Sequence, residues 1–156
     1  MSVVTEAMRR EILSLLPRYP HKRSALLPAL HIVQRERGWI PPEAMEEVAA
    51  LLDLRPVEVM EVVSFYTMYN RAPVGRHHLQ VCRNIACALR GARELTRHLS
   101  GKLGVPLGGT TPDGRFTLTE VECLGSCGTA PMLQCNDDYY ENLTVERVDE
   151  ILSNLP

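Results

Sequence analysis

The sequence predicts an α+β fold, a helical bundle followed by a mixed sheet with flanking helices. Three observations predict it. Through about residue 70, apolar residues recur at helical spacing between proline and glycine stops. After RAPVGR (71–76) the pattern alternates between periods of two and 3.6. The elements then run β-α-β-β-β-α, an order that lets helices cover a mixed sheet. The chain accordingly divides into a helical part, 1–72, and a sheet part, 73–156. With 156 residues, 45% of them hydrophobic, it can bury one ordinary core, or a small core plus a helical extension.

Each element follows from local signals. Thr5 can cap a first helix in which Met8, Ile12, Leu15 and Leu16 share a face, and Pro17 and Pro20 stop it. A second helix is expected from Ser24 as N-cap, with Leu26, Leu27, Leu30 and Val33 aligned, Pro28 early enough to be tolerated, and Gly38 closing the end. Pro41 and Pro42 introduce EAMEEVAALLDL, whose buried stripe is Met45, Val48, Ala49 and Leu52. Pro56 sits at a first helical position and opens VEVMEVVSF, with Val59, Val62 and Val63 facing inward.

In the second part, HHLQVC (77–82) fits a strand and ACALRGARELTRHLSGKLG one helix ending at Gly101 or Gly104. GGTTPDG reads as loop. FTLTEVEC (116–123) alternates as a strand with Phe116 and Leu118 on one face. PMLQC and YYENL make two short strands joined by the turn Asn136-Asp137-Asp138. TVERVDEILSNL closes as an amphipathic helix, capped by Thr144, with Val148, Ile151 and Leu152 inward.

Composition excludes several function classes. A formal net charge of −2 and the lack of lysine or arginine runs give no footprint for nucleic acid or an anionic membrane surface. No apolar stretch approaches the roughly 20 residues of a membrane span, and MSVVTEAMRREILSLLP lacks the pattern of a secretory signal. A soluble, cytoplasmic protein without direct membrane insertion is expected. In a reducing compartment five cysteines point to metal or redox chemistry rather than to disulfides.

The cysteines carry the chemistry. Cys82-x4-Cys87 is followed, after 35 residues, by Cys123-x3-Cys127. Each pair follows an expected strand, so loops at the ends of neighbouring strands can bring four thiolates together. A [2Fe–2S] cluster takes two thiolates on each iron, and a spacing of three or four residues lets one loop supply both. Ala86, Ala88, Gly125, Ser126, Gly128 and Ala130 leave room for close backbone approach and N–H donation. Pro131 can fix the second loop against the following strand. Structural zinc also takes four cysteines, but its usual knuckles are CxxC-like and fit these spacings less well. No Cys-x-x-Cys pair exists for a thioredoxin-type dithiol catalyst. Between Glu120 and Glu150 eight acidic residues face one basic residue, Arg147, which predicts a low reduction potential for a cluster there.

The chain resembles a known family at several motifs in the same order. HIVQRERGWIPPEAMEEVA and EVMEVVSFYTMYNRAPVGRHHLQVC span the helical part and the junction, and CRNIAC and ECLGSCGTAPMLQCNDDYYENLT span the cysteine region. Together they are similar to the thioredoxin-like [2Fe–2S] subunits of NADH-quinone oxidoreductase (respiratory complex I), the 24-kDa type of mitochondria. The resemblance implies an N-terminal helical bundle followed by a thioredoxin-like domain. It also implies that Cys82, Cys87, Cys123 and Cys127 hold one [2Fe–2S] cluster. The implied partner is a larger flavoprotein that carries FMN and oxidises NADH, alongside further peripheral-arm subunits at the cytoplasmic face of the membrane. This chain shows no dinucleotide fingerprint of its own. The implied role is an electron carrier beside the flavin, not a catalyst by itself. Equivalent subunits of NAD-reducing hydrogenases and NAD-dependent formate dehydrogenases, and a structural zinc protein, are the alternatives.

Cys135 stands where the resembled family usually has an aliphatic residue, and is expected to be a small buried hydrophobe. The competing role is a spare thiol near the cluster. His77 and His78 are expected to be ordinary strand or surface histidines, because Rieske-type ligation needs Cys and His together in each loop. Trp39, Phe65, Tyr66 and Tyr69 are expected to pack the bundle or its docking face, with exposed apolar surface near 65–69.

Overall fold

The computed structural model describes residues 2–156. They form an α+β protein with seven α-helices and one four-stranded mixed sheet. The chain falls into two compact units, Met1–Pro73 and Val74–Pro156.

The first unit holds α1 (Glu6–Leu15), α2 (Leu26–Arg37), α3 (Pro42–Leu52) and α4 (Pro56–Phe65). Thr5 caps α1, its hydroxyl accepting from the Met8 N–H at 3.3 Å. Met8 and Ile12 are buried, while Leu15 and Leu16 pack half-buried at the edge of the core. Ser24 does not cap α2. It lies within a 3₁₀ turn, Lys22–Ala25, that runs straight into the helix, leaving the cap position to the fully buried Ala25. A residue already inside a helical turn cannot adopt the extended backbone of an N-cap, so packing at Ala25 sets the start instead. Gly38 ends α2 in the left-handed region, φ +79°, and its N–H reaches the Gln34 carbonyl at 2.7 Å. Pro42 and Pro56 occupy first-turn positions of α3 and α4, and the Glu58 carboxylate accepts from the Arg55 N–H at 3.0 Å.

The core of this unit is built on Ile12, Leu30, Val33, Ile40, Val48 and Leu52. The segment after α4 is tied back by Gln34, whose amide accepts from the Asn70 N–H at 2.6 Å and donates to the Met68 carbonyl at 2.7 Å. Tyr69 is buried and donates its hydroxyl to the Leu27 carbonyl at 2.9 Å. Trp39 is half-buried. Phe65 and Met68 are exposed, Phe65 by 77%.

The second unit holds β1 (His77–Cys82), α5 (Ile85–Leu89), α6 (Ala92–Leu103), β2 (Phe116–Val121), β3 (Leu133–Cys135), β4 (Asp138–Tyr140) and α7 (Val145–Asn154). Strand order is β2-β1-β3-β4. β1 and β2 are parallel, in register from His77↔Phe116 to Cys82↔Val121; β3 runs antiparallel to β1, and β4 to β3. Leu79, Leu99, Leu118, Met132 and Leu133 fill the core.

Several boundaries differ from the expected ones, among them that of β3, which starts at Leu133 rather than at Pro131. The helix after β1 is two helices, broken at Gly91 with φ +96°. A left-handed residue cannot continue an α-helix, and the break lets α5 bury Cys87 while α6 independently buries Ala92, Leu95, Thr96 and Leu99. β2 ends at Val121, two residues before Cys123, because its ladder with β1 ends at Cys82. β4 starts at Asp138, since a two-residue turn, Asn136-Asp137, suffices to close the hairpin; Asn136 has φ +53°. Asn142, at φ +49°, lies beyond the end of that strand. Thr144 caps α7, accepting from the Arg147 N–H at 3.2 Å, and Val148, Ile151 and Leu152 are buried. No helix among the described residues is long and apolar enough to cross a membrane.

Candidate metal centre

Two parallel neighbours end on the same edge of a sheet. The loops leaving β1 and β2 therefore start side by side, and they carry the four predicted cysteines. Cys82 is the last residue of β1, Cys87 lies in α5, Cys123 follows β2 by two residues, and Cys127 opens a 3₁₀ turn, Cys127–Thr129. Within the second pair the sulfurs are 3.5 Å apart. Cys82 is the nearest ionisable neighbour of Cys87, and Cys127 lies within electrostatic range of both. The structure thus places the four predicted residues at the ends of two adjacent parallel strands, with Cys123 and Cys127 in direct contact.

The pairs differ in environment. Cys82 and Cys87 are buried, and Cys123 and Cys127 are exposed. Burial, with the Cys82 thiol beside it, pushes the Cys87 thiol up to about 11. The Met132 backbone works the other way and favours the Cys87 thiolate. Contact with Cys123 raises Cys127.

The loops are fixed by local bonds. Asn84 caps α5, its side chain accepting from the Ile85 N–H at 2.7 Å. In the second loop Gly125 adopts φ +83° and points its N–H at Cys123 Sγ, 3.4 Å away. Tyr139 donates its hydroxyl to the Leu124 carbonyl at 2.7 Å, and the Glu141 carboxylate accepts from Ser126 and from Thr129, the latter at 2.6 Å. The Asn142 N–H reaches the Thr129 carbonyl at 2.7 Å. An ion pair joins the loops: Arg83 follows Cys82, Glu122 precedes Cys123, and the guanidinium Nε lies 3.0 Å from the carboxylate.

Sequence reasoning missed Tyr139, Glu141 and the Arg83–Glu122 pair. Arg83 and Glu122 carried a signal, since each is next to a cysteine. Tyr139 and Glu141 carried none, because only the fold brings β4 and the residue after it against the Leu124–Thr129 loop.

Cys135 is a buried residue of β3 in register with Leu79, and burial with Asp138 nearby pushes its thiol up to about 11. His77 and His78 are buried strand residues rather than surface ones, and they stand at the opposite end of β1 from Cys82. The His77 ring contacts the Pro156 carbonyl at 2.7 Å and the His78 ring the Thr119 hydroxyl at 2.9 Å. Burial lowers the His78 pKa. Both rings are engaged away from the cysteines.

The donor set fits a [2Fe–2S] group: four thiols in two pairs, one pair per loop, with a backbone N–H already directed at a sulfur. Among the described residues no three thiol, imidazole or carboxylate groups converge as a single metal ion requires.

Fold and site together define a small four-thiol module, built at the ends of two parallel strands and following a helical unit. The family model for thioredoxin-like [2Fe-2S] ferredoxins matches residues 12–156, and the chain belongs to that family. It is 48% identical over 94% of its length to an E-type subunit of the NADH-quinone oxidoreductase of Rhizobium meliloti, covering 88% of that protein. It is 49% identical over 86% of its length to NADH-quinone oxidoreductase subunit 2 of Thermus thermophilus, covering 75% of it. Among solved structures, an NAD+-reducing [NiFe]-hydrogenase in the air-oxidized state matches 82% of the chain with a TM-score of 0.71 and 25% identity. The match spans only 22% of that hydrogenase chain.

Proposed function

We propose that this chain is an electron-transfer component of an NADH:quinone oxidoreductase (complex I), holding one [2Fe–2S] cluster through Cys82, Cys87, Cys123 and Cys127. The placement of two cysteine pairs beyond the paired ends of two adjacent parallel strands carries the reading. The named relatives, similar over most of their own length, support the assembly. When bound, such a cluster accepts and returns one electron at a time. The chain's own contribution is to hold the thiolates at fixed separation, to bury one pair and leave the other near the surface, and to aim Gly125 N–H at a sulfur.

NADH and FMN belong to a partner flavoprotein in this reading, because this chain carries no glycine-rich dinucleotide motif. The helical unit docks the assembly, with the exposed Phe65 and Met68 as part of its contact surface. The complex places the chain on the cytoplasmic side as a peripheral component.

A second assembly, an NAD-reducing hydrogenase, has specific support in the structural likeness to such an enzyme. Anaerobically purified chain is expected to show visible charge-transfer absorption and, on one-electron reduction, the EPR signal of a [2Fe–2S] cluster. A colourless protein containing one zinc would overturn the reading. Co-purification with a quinone reductase or with a hydrogenase separates the two assemblies.

A further inference from the structure

The last register pair of the parallel ladder is Cys82↔Val121. One further backbone bond, from the Arg83 N–H to the Val121 carbonyl at 3.0 Å, extends it. Beyond that point the two chains separate into the cysteine loops. The side chains of Arg83 and Glu122, the first residues past the ladder on each side, meet at this fork. Each is covalently adjacent to a cysteine of a different pair. No other ion pair among the described residues joins the two cysteine loops.

The pair also holds opposed charges beside the site. Reduction of a cluster adds one electron and hence one unit of negative charge; a nearby cation favours that form and a nearby anion opposes it. Arg83 supplies a positive charge beside a second loop that is bordered by Glu120, Glu122 and Glu141.

We propose that Arg83 and Glu122 are positioning residues that bridge the two ligand loops and set the reduction potential of the cluster by charge balance, Arg83 raising it and Glu122 lowering it. This rests on the assignment of the four cysteines to a [2Fe–2S] cluster. The ion pair is solvent-exposed, so the effect is screened by salt over a Debye length of about 8–10 Å at moderate ionic strength.

The test is an EPR-monitored redox titration of the full chain carrying its cluster, using dithionite as reductant, at low and high salt. Arg83→Gln is expected to move the midpoint to more negative potential and Glu122→Gln to more positive potential. The double variant should return close to the parent, and both single shifts should shrink at high salt. Arg83→Lys keeps the charge but loses the planar fork, and should hold the parent midpoint while the cluster is lost faster to a chelator. If Arg83→Gln does not load, the sign of the Glu122→Gln shift decides alone. Single-variant shifts of the same sign, or unchanged midpoints, overturn the proposal. A parent protein with no [2Fe–2S] signal would instead overturn the cluster assignment, so the two failures are distinguishable.

Discussion

The two cysteine pairs sit at corresponding strand ends and yet occupy different surroundings. Cys82 and Cys87 are 3% and 2% exposed, held by a central strand and a short helix, and belong to the hydrophobic core. Cys123 and Cys127 are exposed and lie in a loop that β2 no longer supports, since that strand stops at Val121. The first pair is thus positioned by packing. The second is positioned by hydrogen bonds from elsewhere: Tyr139 to Leu124, Glu141 to Ser126 and Thr129, and Asn142 to Thr129. One half of the site is built into the core, and the other is attached to it.

The largest expected effect tests what the pairs share. Cys87→Ala and Cys123→Ala should each abolish the visible absorption of the cluster, since either leaves one iron short of a thiolate. Their metal-free forms should then differ. Cys87→Ala removes a buried side chain and should cost about 1 kcal/mol of stability, whereas Cys123→Ala, on the surface, should fall within about 0.5 kcal/mol of the parent. Equal thermal midpoints for the two metal-free variants would erase the distinction between packed and attached halves.

Thiol reactivity sharpens the same contrast. Alkylation needs the thiolate, and a thiol near 11 is ionised at pH 8 in only about one molecule in a thousand. In the metal-free chain, iodoacetamide at pH 8 should therefore modify the exposed Cys123 before the buried Cys87. The Cys87 rate should climb about tenfold per pH unit until the pH reaches its pKa. Cys135, also raised to about 11 and buried, should behave like Cys87. Mass spectrometry of peptides from a timed quench gives the order directly. Fast modification of Cys87 would mean that the first loop opens when metal is absent.

The same contrast accounts for what is legible in the sequence. β1 is readable to the residue, because HHLQVC is a buried central strand whose apolar run has one good placement. Thr5 and Thr144 are readable as caps, since a cap is a local bond between a hydroxyl and an amide three residues on. The cysteine spacing is readable because the two members of each pair are only a few residues apart along the chain. The break at Gly91 is not, as the apolar residues on both sides of it keep helical spacing and only the left-handed backbone of Gly91, φ +96°, separates them. Ser24 misleads for a related reason: its residue type suits a cap, but a 3₁₀ turn places it inside the helix entry. The supports of the second loop are also hidden, because Tyr139 and Glu141 act 15 residues from Leu124 and Ser126.

Those supports give the smallest effect. Tyr139→Phe keeps the ring and removes one hydroxyl donor from the Leu124 carbonyl, at a ring that is itself 49% exposed. A single partly exposed hydrogen bond contributes about 0.5–1.5 kcal/mol, and the freed carbonyl can turn to water, so global stability should change by the lower part of that range. The local consequence should be more visible than the global one. The Leu124–Gly125–Ser126 stretch carries the N–H directed at Cys123 Sγ, and it is anchored at one end by Tyr139 and at the other by Glu141. Releasing one anchor should speed cluster loss to a chelator several-fold while the thermal midpoint of the metal-free chain moves little. A matched change in the first loop, Asn84→Ala, removes the cap of α5 but leaves Cys82 and Cys87 packed in the core, and should speed that loss less. If Asn84→Ala proved the more damaging of the two, packing would not be what secures the first pair, and the helix cap would take its place.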